Sequence, residues 1–194
     1  MGRAKQYDRD ELLDLAIELF RRQGFNGTST AELVAELGVN RKSMYAEFGS
    51  KQGLFEAALD RYNTLHLGRV LAPLEANGAG LDAIRGALQG YASAIEGRWR
   101  GRGCLMANTA VERAALDPGA KLYVVAYLQR ITRGFRQALA NAEATGDLAP
   151  GQDLDALAGF LTTTLIGVAA SVRAEAPPEQ VYAATRVAMG ALGA

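Results

Sequence analysis

The chain has 194 residues, 49% of them apolar, and its 21 basic and 21 acidic side chains balance to a formal charge of zero. That composition excludes a disordered chain and one that binds nucleic acid by bulk charge, so a polyanionic partner must meet a local basic surface. A single cysteine, Cys104, and a single histidine, His66, exclude an internal disulfide and a metal site built on several thiolates, and neither metal nor cofactor is expected.

Sustained strand alternation and repeats are missing, and the pattern is helical almost throughout, so the expected fold class is all-α. The start, Met1 to Asp8, lacks the apolar run of a secretory signal. Asp8 is placed to cap a first helix, with Glu11 three residues on, and Leu12, Leu13, Ala16, Ile17 and Phe20 follow at helical period. Gly24 is expected to stop this helix and Phe25 to fold back onto the core. Thr28, Ser29 and Thr30 supply a hydroxyl cap for a short second helix carrying Leu33, Val34 and Leu37. After the turn Gly38-Val39-Asn40, Asn40 caps a third helix reaching about Phe48, and Gly49-Ser50 breaks it. A long helix follows from Lys51 into the mid-70s, with Leu54, Phe55, Ala58, Leu59 and Tyr62 inward and His66 toward its end.

Beyond it, Asn77 to Gly80 is a flexible turn, and Gly97 to Gly103 is a loop placing Arg98, Arg100 and Arg102 around Trp99. Asp117-Pro118-Gly119 opens a helix to about Thr145, Gly146 to Gly151 separates it from a helix over Leu154–Ala174, and Ala176-Pro177-Pro178 precedes the last. The uncharged stretch from Ala156 to Val172 contains Thr162, Thr163, Thr164 and Ser171 and falls short of the roughly 20 apolar residues of a membrane span. A cytoplasmic chain with no membrane partner is therefore expected. In all, about nine helices fall into two groups, a three-helix domain over 1–52 and a larger helical domain over 53–194.

Two short helices joined by a Gly-containing turn, the second opening with small polar and basic residues, form the sequence pattern of a helix-turn-helix. Arg41, Lys42 and Ser43 stand at the exposed start of the second, while Met44 and Phe48 turn inward. Arg41 and Lys42 can donate to guanine O6 and N7 or to phosphate, and Ser43 can serve either. Tyr45 and Lys51 are placed to donate to phosphates, Thr28 and Thr30 likewise, and Arg3 and Lys5 form a short basic arm. Glu47, on the same helix, either accepts from a cytosine amino group or faces solvent.

The run from Thr28 to Val39, followed by Asn40-Arg41-Lys42-Ser43-Met44-Tyr45-Ala46-Glu47-Phe48-Gly49-Ser50-Lys51 and then Leu54, resembles the DNA-binding region of the TetR family, with its Tyr-x-x-Phe and Gly-Ser-Lys hallmark. The resemblance covers about residues 8–60 closely. It implies an all-helical homodimer that binds double-stranded operator DNA and is released from it, as a repressor, by a small-molecule effector held in the C-terminal domain.

In that domain Phe160, Leu161, Leu165, Val168 and Val172, with Val181, Tyr182 and Met189, offer apolar faces for a four-helix dimer interface or for the core of one chain. Trp99, Met106, Tyr123, Tyr127 and Phe160 are candidate lining for the effector pocket. Cys104, Asn108 and Glu112 add a polar stripe at helical spacing. Cys104 is open to two readings: a buried, inert thiol, or a redox or electrophile sensor activated by Arg102, as in a subset of TetR-like regulators with a similar Gly-Cys-Leu segment. Gly-rich phosphate loops and nucleophile–base–orienter sets are missing, so no catalytic residue is expected. A small enzyme using Cys104 and His66, or a helical scaffold without a DNA target, are the alternatives.

Overall fold

The computed structural model describes residues 7–113 and 117–193, without the side chains of residues 66, 67, 69 and 70; Arg3, Lys5 and the His66 side chain thus lie outside it. The described residues form nine α-helices and one short 3-10 turn. Helix α1 (Arg9–Gly27) is capped by Asp8, whose carboxylate accepts from the Asp10 N–H, and Asp10 and Glu11 sit at the positive end of its dipole. The regular part of α1 ends at Gly24, as expected: with φ +77° and ψ 175° this residue is non-helical and kinks the chain, and one short helical turn follows to Gly27.

Helix α2 (Thr30–Leu37) opens with a reciprocal capping box between Ser29 and Glu32 and ends at Gly38, left-handed at φ +63°. Helix α3 (Arg41–Phe48) is capped by Asn40, and α4 (Lys51–Glu75) by Ser50. The remainder comprises α5 (Leu81–Ala92), the 3-10 turn Ser93–Ile95, α6 (Leu105–Glu112), α7 (Pro118–Thr145), α8 (Leu154–Arg173) and α9 (Pro178–Gly190). Cys104 caps α6 rather than lying within it.

Helix α1 packs on α2, α4 and α6, while α4 runs on to meet α5 and α7, so one long helix belongs to both halves. One continuous apolar core links Leu12 of α1 to Leu192. Its aromatic centre is Phe20, Phe25 and Phe55, the Phe20 and Phe55 rings meeting edge to face at 4.9 Å. A smaller cluster joins Ala92 and Ile95 to Val168, Val172 and Val181.

That packing revises the expected dimer contacts. Leu161, Leu165, Val168, Val172, Val181 and Met189 are all buried within the chain. Each contributes about 1.5–3 kcal/mol of burial to the monomer, which leaves them no surface for a partner. Of the expected set only Phe160 is exposed; Tyr182 is half-buried, its hydroxyl donating to Glu96 at 2.7 Å. The outer face of α8 carries Ala156, Phe160, Thr163, Gly167 and Ala170. By length and mean hydropathy alone α8 would suffice to cross a membrane, yet it packs on α5, α7 and α9.

Candidate functional site

The α2–α3 pair presents one polar surface. Met44, fully buried, pins α3 from behind, and Arg41 and Lys42 are exposed at its N-terminus. The Ser43 N–H donates to Asn40 Oδ1 at 2.8 Å, leaving the Ser43 hydroxyl outside that cap bond. Tyr45 Oη lies 3.4 Å from Thr30 Oγ1, and the Arg41 guanidinium stands 5.6 Å from the Tyr45 ring centroid. The Thr30 hydrogen bond, with Arg41 beside it, holds the Tyr45 hydroxyl below its ordinary pKa. Thr30, Arg41, Lys42, Ser43 and Tyr45 are thereby grouped on adjoining helix ends.

Three nearby residues depart from expectation. Thr28 is buried and its hydroxyl donates to the Gly24 carbonyl at 2.6 Å, so the side chain braces the α1 kink instead of facing outward. Lys51 is half-buried with its ammonium 4.2 Å from the Phe25 ring centroid; burial, then Arg113, lowers its pKa. Glu47 neither reaches outward as an acceptor nor faces solvent alone: its carboxylate pairs with Arg9 Nε at 3.4 Å and accepts from the Tyr7 hydroxyl. Tertiary contacts from α1 decide that, and helix periodicity does not register them.

A second site lies in the larger half. A cavity of about 190 Å³ is lined by Arg21, Tyr62, Tyr91, Trp99, Cys104 and Val172, among others. The Arg21 guanidinium donates through Nε and Nη2 to the Gly103 carbonyl (3.2 and 2.7 Å) and through Nη1 to Glu18, and it lies 4.5 Å from the Trp99 ring centroid. Cys104 Sγ is 3.5 Å from Tyr127 Oη, which is 3.4 Å from Tyr91 Oη. Burial, then the neighbouring thiol, pushes the Tyr62, Tyr91 and Tyr127 phenols well up, so they stay neutral and able both to donate and to accept. An apolar shell with a few fixed polar groups is the usual make-up of a small-molecule site.

Of the expected lining, Trp99 and Cys104 face this cavity and Tyr127 stands behind Cys104. Met106 is core, Asn108 donates to the Arg102 carbonyl, Tyr123 is half-buried near Asp60 and Glu56, and Phe160 is on the outer face of α8. Glu112 sits at the far end of α6 from Cys104. Arg102, expected to activate the thiol, instead pairs with Glu18. Sequence reading missed Arg21, Tyr62 and Tyr91 as lining. Arg21 carried a signal, since it lies four residues after Ile17 on the buried side of α1.

Residues 12–58 match the model of the bacterial regulatory proteins of the tetR family, and residues 80–188 match the tetracyclin repressor-like C-terminal domain. The chain belongs to the TetR family. Among relatives in that family, the HTH-type transcriptional regulator YezE of Bacillus subtilis is 33% identical over 87% of each chain. The HTH-type transcriptional repressor ComR of Escherichia coli is 34% identical over 93% of this chain and 86% of its own. A cysteine mutant of the TetR family regulator CifR, solved in complex with 26-bp double-strand operator DNA, superposes with a TM-score of 0.87 at 28% identity, covering 98% of this chain and 100% of that one. This TetR-family protein is thus a DNA-binding transcriptional regulator, and its relatives are regulators rather than enzymes.

In this TetR-family chain a polar joint ties the end of α1 and the start of α4 to α6 and α7. The Glu112 carboxylate accepts from the Phe25 N–H (3.1 Å) and the Asn26 N–H (2.7 Å). The Phe25 ring is flanked by Lys51 and by Arg113, whose guanidinium is 4.1 Å from the ring centroid. Gln52 of α4 and Arg113 both donate to Asp117, at 2.6 and 2.7 Å, and Asp117 caps α7. Burial alone would raise the Asp117 carboxyl; Arg113, the Ala120 N–H and Gln52 outweigh it and hold the pKa below the ordinary value.

Proposed function

We propose that the protein is a homodimeric repressor that reads operator DNA with α3 and is released when a small effector fills the cavity beside Cys104. In this reading residues 1–52 form the DNA-binding domain and 53–194 the effector and dimerisation domain. Arg41 and Lys42 contact bases or phosphates, Ser43 serves either, and Thr30 and Tyr45 donate to phosphates. The exposed polar surface that α2 and α3 share carries the DNA reading, and Arg21 carries the link, since this residue of α1 is part of the cavity wall. Two half-sites about 34–36 Å apart demand a dimer, and the outer faces of α8 and α9, with exposed Phe160 and Val187 among small residues, are the surfaces assigned to it. Because its partner is operator DNA, the protein works in the cytoplasm.

The test is a fluorescence-anisotropy titration against the DNA flanking the protein's own gene, at two salt concentrations and with a scrambled competitor. Binding that resists the competitor supports the repressor reading, and binding that the competitor abolishes contradicts it. A second reading is favoured by the thiol lying in the cavity wall among phenols: covalent modification of Cys104 is itself the signal. Cys104→Ser then keeps operator affinity and loses any response to a thiol reagent such as N-ethylmaleimide. A response that persists in this variant overturns it.

A further inference from the structure

The kink in α1 is completed by the other half of the molecule. In a regular helix the Phe25 N–H would pair with the Arg21 carbonyl. Here the Phe25 N–H donates to Glu112 of α6, and the Arg21 carbonyl accepts from Arg173 Nη1 of α8. Gly24 between them has φ +77°, and a Cβ there would collide with Glu112 Oε2, so this position requires glycine twice over. Both clamping helices line the cavity at or near their other contacts. Cys104 caps α6 eight residues before Glu112, and Ala169 and Val172 precede Arg173 on α8.

Across the kink the path to DNA is short. Thr28 Oγ1 returns to the Gly24 carbonyl, Ser29 caps α2, and Thr30 meets Tyr45 of α3. Helix α6, about 12 Å long at 1.5 Å per residue, is buried over Leu105 to Thr109 and spans from the cavity to the kink. Resting on the cavity being the effector site, we infer that Glu112 and Arg173 are the positioning residues that carry its state to the recognition helix, by holding or releasing the α1 kink. An occupant that displaces the Cys104 end of α6 shifts the Glu112 carboxylate against two backbone N–H groups, and the α2 N-terminus moves with them. Neither residue lies on α2 or α3 or in the cavity lining.

The single cysteine allows a defined occupant to be installed. Methyl methanethiosulfonate transfers a methylthio group to Cys104: a sulfur–sulfur bond forms, the reagent's own breaks, methanesulfinate leaves and the thiol proton goes to solvent. Operator affinity is measured before and after this labelling, confirmed by intact mass, in the unmutated chain, in Glu112→Gln and in Arg173→Met. The unmutated chain is expected to lose about 10-fold or more in affinity on labelling, and each variant less than about 3-fold, whatever its starting affinity. A residue that only supports the fold changes melting temperature and starting affinity without changing that ratio. Should one variant not fold, the other gives the same comparison from the opposite side of the kink. Equal ratios in all three proteins overturn the role of Glu112 and Arg173 while leaving the cavity as effector site. A confirmed label without effect on the unmutated chain overturns both.

Discussion

Asp117 shows how one carboxylate serves two elements, capping α7 while receiving Gln52 and Arg113 from the neighbouring helices. Its folded pKa lies below the ordinary 3.8, so its contribution is complete above that value and disappears as pH falls through the lower folded pKa. Asp117→Ala is expected to cost about 1–2 kcal/mol at pH 7, read by urea melts, with the gap from the unmutated chain narrowing as pH falls below 3.8. A gap unchanged at low pH would refute the ionic part. Deeper in the core, Phe55→Ala removes the ring between Phe20 and Phe25 and is expected to cost about 3–5 kcal/mol, by the same melts. Both residues had local signals, Asp-Pro-Gly for the cap and an apolar period for the ring. The partners of Glu47 had none, because a side chain's tertiary neighbour is set by helix packing and not by its place in the turn.

At the scale of the element, the caps and turns at Ser29, Gly38, Asn40 and Ser50 were legible because each acts within four residues of itself. Gly24 was legible as the end of the regular helix; the short turn beyond it to Gly27 was not, since it is held by a carboxylate 87 residues from Phe25 in sequence. The cavity was partly legible. Trp99 and Cys104 stood out by type, whereas Tyr62 read as an ordinary inward position on α4 and Tyr91 of α5 carried no signal. The outer face of α8 was the least legible element. Its apolar period does not say whether another helix of the same chain or a second copy covers a given side, and the structure gives the inner side to the monomer. Phe160→Asp on the remaining side is expected to weaken self-association about 10-fold or more in sedimentation velocity while leaving the helical signal intact. An unshifted distribution would place the dimer face elsewhere.

For the whole molecule, a zero net charge and a DNA partner are reconciled by local placement. Arg41 and Lys42 stand exposed at the start of α3, while Lys51, Arg61 and Arg130 are engaged by Phe25, Asp14 and Glu75 within the fold. The helix-turn-helix half and the cavity half share α4 and one core, and the proposed release from DNA runs through those packed helices and the α1 joint. We propose that α3 reads the operator with its exposed charges Arg41 and Lys42. The most direct measurement is operator affinity over a range of salt concentrations for the unmutated chain, Lys42→Ala and, as a comparison, Lys121→Ala on α7. Lys42→Ala is expected to weaken binding and flatten the log–log salt slope by about one unit for each operator phosphate it no longer neutralises, with Lys121→Ala matching the unmutated slope. Identical slopes for all three proteins would contradict the claim.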